Sequence, residues 1–284
     1  MLHEFRVLRM RLVQILKVSL PILSLMLAGP AAAQPRDTTR SPASANIPSN
    51  DTMIPPGTIL PVRLRTAISS QKCKSGQLIV GRTAQNVPLP NGSKIRAGTK
   101  IEGQIIGVTP GGPSSGPQLS IRFDKVYTQG KTISVKTSLR AIAGFMAVQE
   151  AGVPEESPGE GTPYDWLPTT QIGGDSVYGL WGPVMSAEDS SQVVGKSTYD
   201  GVLARPRAKQ GSQCRGGAEG NDNPQAMWVF STDACGVYGI EHLNITHAGR
   251  TMPVGTIVLV SEAPILKLRN GDGLLLRVNA VSHD

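Results

Sequence analysis

The sequence predicts an all-β fold: a Gly-rich antiparallel β-barrel or sandwich with a long irregular insertion, preceded by an N-terminal signal helix. Three observations predict it. Short apolar segments alternate with period two, Leu119, Ile121 and Phe123 opposing Gln118, Ser120 and Arg122, and Ile133, Val135 and Leu139 opposing Ser134, Lys136 and Arg140. That period marks strands with one packed and one wet face. Turn residues punctuate these segments: Gly-Thr begins at 57, 98 and 255, and Asn91-Gly92, Gln129-Gly130 and Asn270-Gly271 lie between apolar runs. Finally, the 284 residues include 32 glycines and 22 prolines, a content that favours turns and loops over long helices.

Taken in order, residues 1–17 carry Arg6, Arg9, Arg11 and Lys17, Val18 to Gly29 is apolar, and Ala31-Ala32-Ala33-Gln34 follows. This is the basic, apolar and small-residue pattern of a secretory signal peptide, residues 1–33. The apolar run contains Pro21 and falls short of the roughly twenty residues needed to span a bilayer. Membrane contact is therefore expected only if the helix is retained, as an inner-membrane anchor over residues 12–29. Residues 34–53 have few apolar groups and read as a flexible tether.

Residues 54–144 form the first β unit. Leu60, Val62 and Leu64 share a face opposite Pro61 and Arg63, and a proline inside a strand predicts an edge or a bulge. Lys72 to Gly76 reads as a turn. The Gly111 to Gly116 run is interrupted by Pro113 and precedes a strand, so it connects strands and is no phosphate loop.

Residues 145–210 lack a sustained period and read as a loop-rich insertion. Residues 211–284 form a second β unit expected to complete the same barrel. Here Ala226 to Ser231 is predicted as a short buried strand, Ile257 to Val260 as a strand covered on both faces, and Asn270-Gly271 as a hairpin turn.

The net charge of +7 does not indicate a nucleic-acid partner. Removing the leader's four basic residues and single acid leaves a chain of about +4 without dense clusters, and base-stacking aromatics interleaved with Lys or Arg are missing. Of three cysteines, Cys214 and Cys235 lie in neighbouring turn-rich stretches and are expected to pair, leaving Cys73 free. His242 and His247 remain as candidate bases for a secreted hydrolase, with Asp175 and Asp233 as available acids. The sequence has no HExxH and no paired CxxC, and its G-x-S-x-G spacing, Gly112 to Gly116, contains Pro113 and precedes a strand where a nucleophile elbow needs a helix. Glu155, Glu156 and Glu160 lack the spacing of a Ca²⁺ cage. No cofactor, metal or catalytic residue is assigned on these grounds. Tyr164, Trp166, Tyr178 and Trp181 concentrate aromatic rings among Gly and Pro and form the candidate binding surface.

Residues 54–144 resemble the C-terminal β-barrel domain of the channel-forming proteins of type IV secretion and conjugal transfer. The residues carrying the resemblance are Gly57-Thr58 with Pro61; then Leu64, Thr66, Ile68 and Ser69; then Gly76; then Gly98-Thr99 with Gly103; and Gly130 between two strands. It implies a barrel in a bacterial envelope. Together these readings lead to an expected non-enzymatic, exported envelope β-domain that binds or assembles with other envelope proteins. The alternatives are a secretion-channel subunit with a retained N-terminal anchor, and a hydrolase using His242 or His247.

Overall fold

Among the described residues, twenty strands and one short helix follow in chain order: β1 Ile59–Leu64, β2 Ile68–Ser69, β3 Leu78–Thr83, β4 Val87–Pro88, β5 Lys94–Ile95, β6 Lys100–Thr109 and β7 Gln118–Thr128. Next are β8 Lys131–Ser134, β9 Thr137–Ala143, α1 Phe145–Glu150, β10 Pro168–Thr170, β11 Ser176–Tyr178, β12 Pro183–Met185, β13 Val193–Thr198 and β14 Gly201–Ala204. The last are β15 Gln225–Ala226, β16 Gly236–Tyr238, β17 Leu243–His247, β18 Ile257–Ser261, β19 Lys267–Leu268 and β20 Gly273–Val278. The structure is a computed structural model that describes residues 53–112, 115–154, 167–207, 214 and 221–280. The expected leader and nearly all of the tether, residues 1–52, lie outside the described residues.

The main sheet runs β16-β9-β20-β1-β3-β6-β7-β18-β17, with β8 alongside β7. Every pairing is antiparallel except that of β16 with β9. Its two ends approach each other: the Leu139 N–H on β9 donates to the Ala248 carbonyl just past β17, at 2.8 Å. The result is a nearly closed, barrel-like sheet contributed by strands before residue 144 and after residue 235.

Alternation supplies the interior. Leu119, Ile121 and Phe123 of β7 are buried as predicted and pack with Leu60, Val62, Leu64, Ile79, Ile101, Ile105, Leu259 and Leu276. The strand β6 carries register shifts at Glu102/Gly103 and Ile105/Gly107, and such bulges add the twist a sheet needs to curl on itself. Gly57, Gly98 and Gly255, each followed by Thr, all take a positive φ, of 83°, 82° and 87°. This is the left-handed turn that glycine enters without steric cost.

The insertion is more ordered than its composition predicts. It begins with the α1 helix and supplies most of a six-stranded antiparallel sheet, β10-β11-β12-β13-β14-β15. Val184, Val202 and Ala204 from the insertion, with Met227, Trp228 and Phe230 from the segment after β15, pack on Ile59, Ala141, Ala143 and Leu275. Those four residues lie on the outer face of β1, β9 and β20, so a second core sits between barrel wall and second sheet.

This second core corrects four sequence expectations. Arg140 does not lie on a wet face; it is 5% exposed because the insertion covers β9. The strands buried on both faces are β9 and β20, whereas Ile257–Ser261 alternates between buried and half-buried positions. Ala226 to Ser231 is a strand only at Ala226; Trp228 then takes a φ of 54° and the chain turns. Asn270-Gly271 does not close a hairpin: β19 pairs with β2, and β20 lies between β1 and β9. The Asp272 carboxylate organises that corner instead, accepting from Arg269 N–H at 2.6 Å and Phe145 N–H at 2.8 Å.

Pro61 departs from its prediction as well, because β1 is a central strand. Its missing N–H is tolerated because the β1–β3 ladder begins only at Val62. Two residues before Pro61, the Ile59 N–H donates to the Gln225 side chain at 3.0 Å.

Candidate binding surface

Two turns at one end of the second sheet carry the densest exposed apolar side chains among the described residues. The first, Gly179 to Gly182, joins β11 to β12. The second, Tyr199-Asp200, joins β13 to β14. In the first, Gly179 and Trp181 both take positive φ, of 66° and 67°. A side chain at Gly182 would run into the Tyr178 carbonyl, so only glycine closes this turn.

The turn is pinned from β13. The Ser197 hydroxyl donates to the Gly179 carbonyl at 2.7 Å, and the Ser197 N–H donates to the Gly182 carbonyl at 2.9 Å. Ser197 is buried, which protects these bonds from competition by water. Three residues on, the Asp200 carboxylate accepts from the Asn86 N–H at 2.6 Å. The turns are therefore tied to each other through β13 and to the barrel through the loop after β3.

Gln85 completes that attachment. Its side-chain oxygen accepts from Trp228 N–H at 2.7 Å and Val202 N–H at 3.3 Å. Its amide nitrogen donates to the Val202 carbonyl at 2.9 Å and to the Thr198 hydroxyl at 3.4 Å. All four hydrogen-bonding positions of a buried amide are used, joining the barrel loop, β14 and the Trp228 turn at one point.

On this frame Tyr178 is 48% exposed, Leu180 44%, Trp181 66% and Tyr199 84%. Singly exposed apolar groups are ordinary on soluble proteins; here Leu180 and Trp181 on the first turn, Tyr199 on the second and Tyr178 at the end of β11 concentrate large exposed side chains at one end of the sheet. Of the predicted surface residues, Tyr178 and Trp181 lie at this end of the sheet, exposed, and Tyr164 and Trp166 lie outside the described residues. Sequence reasoning missed Leu180 and Tyr199. Leu180 adjoins Trp181 in the Tyr-Gly-Leu-Trp-Gly run, and Tyr199-Asp200-Gly201 is a turn signal left unused because β13 and β14 were not foreseen.

The remaining candidates are placed elsewhere. Cys214 and Cys235 form the expected disulfide, with Cα atoms 6.0 Å apart, and Cys73 is a free, half-buried thiol. Burial pushes the Cys73 thiol above its ordinary value, against activation. His242 precedes β17 at a φ of 61°, and its Nδ1 lies 3.9 Å from the exposed Glu262 carboxylate. His247 sits with Nδ1 2.7 Å from the Thr256 carbonyl and Nε2 3.3 Å from the Thr251 hydroxyl. Asp175 is consumed structurally, accepting from Thr232 N–H at 2.8 Å, Thr232 hydroxyl at 2.7 Å and Ala187 N–H at 3.0 Å. Among the described residues no three His, Cys, Asp or Glu side chains group as metal ligands, and no helix is long and apolar enough to cross a membrane. The disulfide is compatible with an oxidising, exported compartment.

No protein-family model matches the chain, and no curated protein matches it significantly.

Proposed function

We propose that this chain is an exported, non-catalytic β-domain of the bacterial envelope that holds another envelope protein against the two turns ending β11 and β13. The observation that carries the reading is the exposure of Tyr178, Leu180, Trp181 and Tyr199 on turns fixed by buried hydrogen bonds. Aromatic side chains held in place before contact lose little entropy on binding, and Trp and Tyr dominate interface energetics. The disulfide and the leader pattern support export. The resemblance of residues 54–144 to secretion-channel barrels supports an assembly role in that setting.

A photoreactive amino acid at Tyr199 in the exported protein tests the reading. It is expected to give a discrete cross-linked species that Trp181→Ala abolishes. The same probe at Met252, equally open to solvent on a separate loop, is expected to give none. Equal cross-linking from both positions, or none from Tyr199, overturns the proposal. N-terminal sequencing of the exported chain separates a free domain, which starts at Gln34, from an anchored channel subunit, which keeps residues 12–29.

A further inference from the structure

Charge divides unevenly between the two parts of this chain. Residues 59–136 contain twelve Lys and Arg against two acids, Glu102 and Asp124, whereas residues 137–284 contain ten against sixteen. Scattered along the sequence these cations form no cluster; the register of the sheet brings several of them together. Arg63 of β1 stands directly opposite Arg82 of β3, and Arg82 directly opposite Lys100 of β6. Their chain neighbours Val62, Leu64 and Ile101 fill the interior, so this row runs across the outside of the barrel. Lys100 in turn opposes Tyr127 of β7 and lies over its ring, 4.5 Å from the centroid. The next rung sets Glu102 opposite Lys125, and one further sets Gln104 opposite Arg122.

Like charges directly opposite each other destabilise a sheet, and the contacts they make here leave positive charge over. Arg63 rests on the Trp228 ring, 5.1 Å from its centroid, and Arg82 donates to the Gly98 carbonyl at 2.7 Å; neither contact brings a negative charge. The two acids of the segment are already used: Glu102 is shared by Lys100 and Lys125, at 2.6 and 3.5 Å, and Asp124 pairs with Arg122 at 2.9 Å. The second core lies over β1, β9 and β20, while on β3 and β7 Arg82, Arg122 and Lys125 are exposed. At the opposite end of β3 and β6 from Arg82 and Lys100, Leu78 is 56% and Ile106 36% exposed.

We propose that the outer wall of β3, β6 and β7 is a docking surface for an anionic lipid bilayer, with Arg82, Arg122 and Lys125 among the headgroups and Leu78 and Ile106 at the acyl boundary. Unequal charge between parts of a chain is a mark of such partners, and cations bordered by exposed apolar groups are the pattern of proteins that lie on a membrane. The core of a protein–protein interface is depleted of charge, whereas this wall presents Arg and Lys in rows. Lipid headgroups are mobile and gather around fixed cations, so rows set by strand register need no stereochemical match. Each Lys or Arg near an anionic leaflet strengthens binding about fivefold, through a field that fades within a Debye length. This contact is made by the barrel itself and does not depend on the leader helix.

The test is co-sedimentation of the exported protein with vesicles of phosphatidylcholine alone and of equal parts phosphatidylglycerol and phosphatidylcholine. Binding to the anionic vesicles only is expected, with release as NaCl rises from about 0.05 M to about 0.5 M. The double variant Arg82→Gln, Lys125→Gln leaves Glu102 its Lys100 and Tyr127 partners and should weaken binding about 25-fold. Lys196→Gln with Arg205→Gln removes the same charge from exposed positions on the second sheet and should leave affinity within about twofold. Leu78→Glu, at an exposed position that burdens no core, should weaken binding at least about tenfold. Equal binding to both vesicles, equal weakening by the two double variants, or unchanged affinity in Leu78→Glu overturns the proposal. Tighter binding of poly-glutamate than of vesicles at the same anion concentration also overturns it, assigning the wall to an acidic protein.

Discussion

Replacing Gln85 by Leu is expected to separate the second sheet from the barrel while leaving the barrel interior intact. The substitution keeps most of the side-chain volume and removes both ends of the amide. Trp228 N–H, Val202 N–H and Val202 C=O then lose a buried partner at once. A buried backbone group left unsatisfied costs about 1–3 kcal/mol. Two groups are left unsatisfied, because the Val202 carbonyl keeps the Met227 N–H at 2.8 Å; they set a range of about 2–5 kcal/mol after partial relaxation, and the added apolar surface of Leu returns about 1–2 kcal/mol. A net loss of about 2 kcal/mol follows, a drop in Tm of about 4–8 °C for a domain of this size. Urea unfolding of the disulfide-intact protein measures the loss. Gln77→Leu is the control, because the Gln77 side chain makes an exposed 3.3 Å contact with the Lys74 N–H and its loss should leave stability within about 0.5 kcal/mol of the parent. Amide exchange gives the local signature: Val202 and Trp228 lose protection, and Ile121 and Leu259 inside the barrel keep theirs. A loss below about 1 kcal/mol, or exchange rising equally in the barrel strands, would refute the reasoning.

Thiol labelling of the denatured, unreduced protein is expected to tag one cysteine per chain, Cys73, and all three after reduction; two or more tags before reduction contradict the bond. Reduction, which frees a loop with a sequence separation of 21, should lower stability by about 3 kcal/mol, read as a shift in the urea midpoint. Gly103→Ala should destabilise by more than about 3 kcal/mol in the same assay, because its Cβ would fall on the Arg122 carbonyl, a backbone atom that cannot swing aside. Acid titration should show two opposed groups. Burial raises the Asp272 carboxyl above its ordinary 3.8, although the Arg269 and Phe145 N–H groups work against it. Its contribution is therefore full below 3.8 and is lost as pH rises through the raised midpoint. Glu102, held below 4.5 chiefly by its 2.6 Å bond to Lys100 and also by the Tyr127 hydroxyl, contributes above 4.5 and loses that contribution as pH falls. Carboxyl chemical shifts in NMR check both; an Asp272 midpoint below 3.8 refutes the first.

Much of the barrel could be read from alternation because its first strands obey the rule from which alternation arises. Leu119, Ile121 and Phe123 face a packed interior while Gln118 and Arg122 face water. Where a strand is covered twice, the rule has nothing to grip. The β20 segment Gly-Leu-Leu-Leu-Arg-Val is buried along its whole length, and its apolar run beside Asn270-Gly271 was therefore assigned to a hairpin. Pairing with β1 and β9 spans more than a hundred residues of chain, and no local pattern encodes partners at that distance. The second sheet was hidden for a related reason. Its strands β10, β11 and β12 have three residues each, fewer than a period-two signal needs, and their stability comes from the wall they cover.

The same economy explains why the candidate surface lies on turns. Every strand of the second sheet must give one face to Ile59, Ala141 and Leu275 or to its neighbours, and short strands have little surface left over. The turns have no such duty once Ser197, Asp200 and Gln85 hold their backbones. A tryptophan in the left-handed region costs about 1–2 kcal/mol relative to an unstrained one, and two-thirds of Trp181 faces solvent, so burial within this chain does not offset that cost. A fold that selected only for stability would place Gly or Asn there. Under the proposed function, a strained, exposed indole beside Leu180, on a turn that a buried hydroxyl keeps from relaxing, would be held ready for contact with a partner.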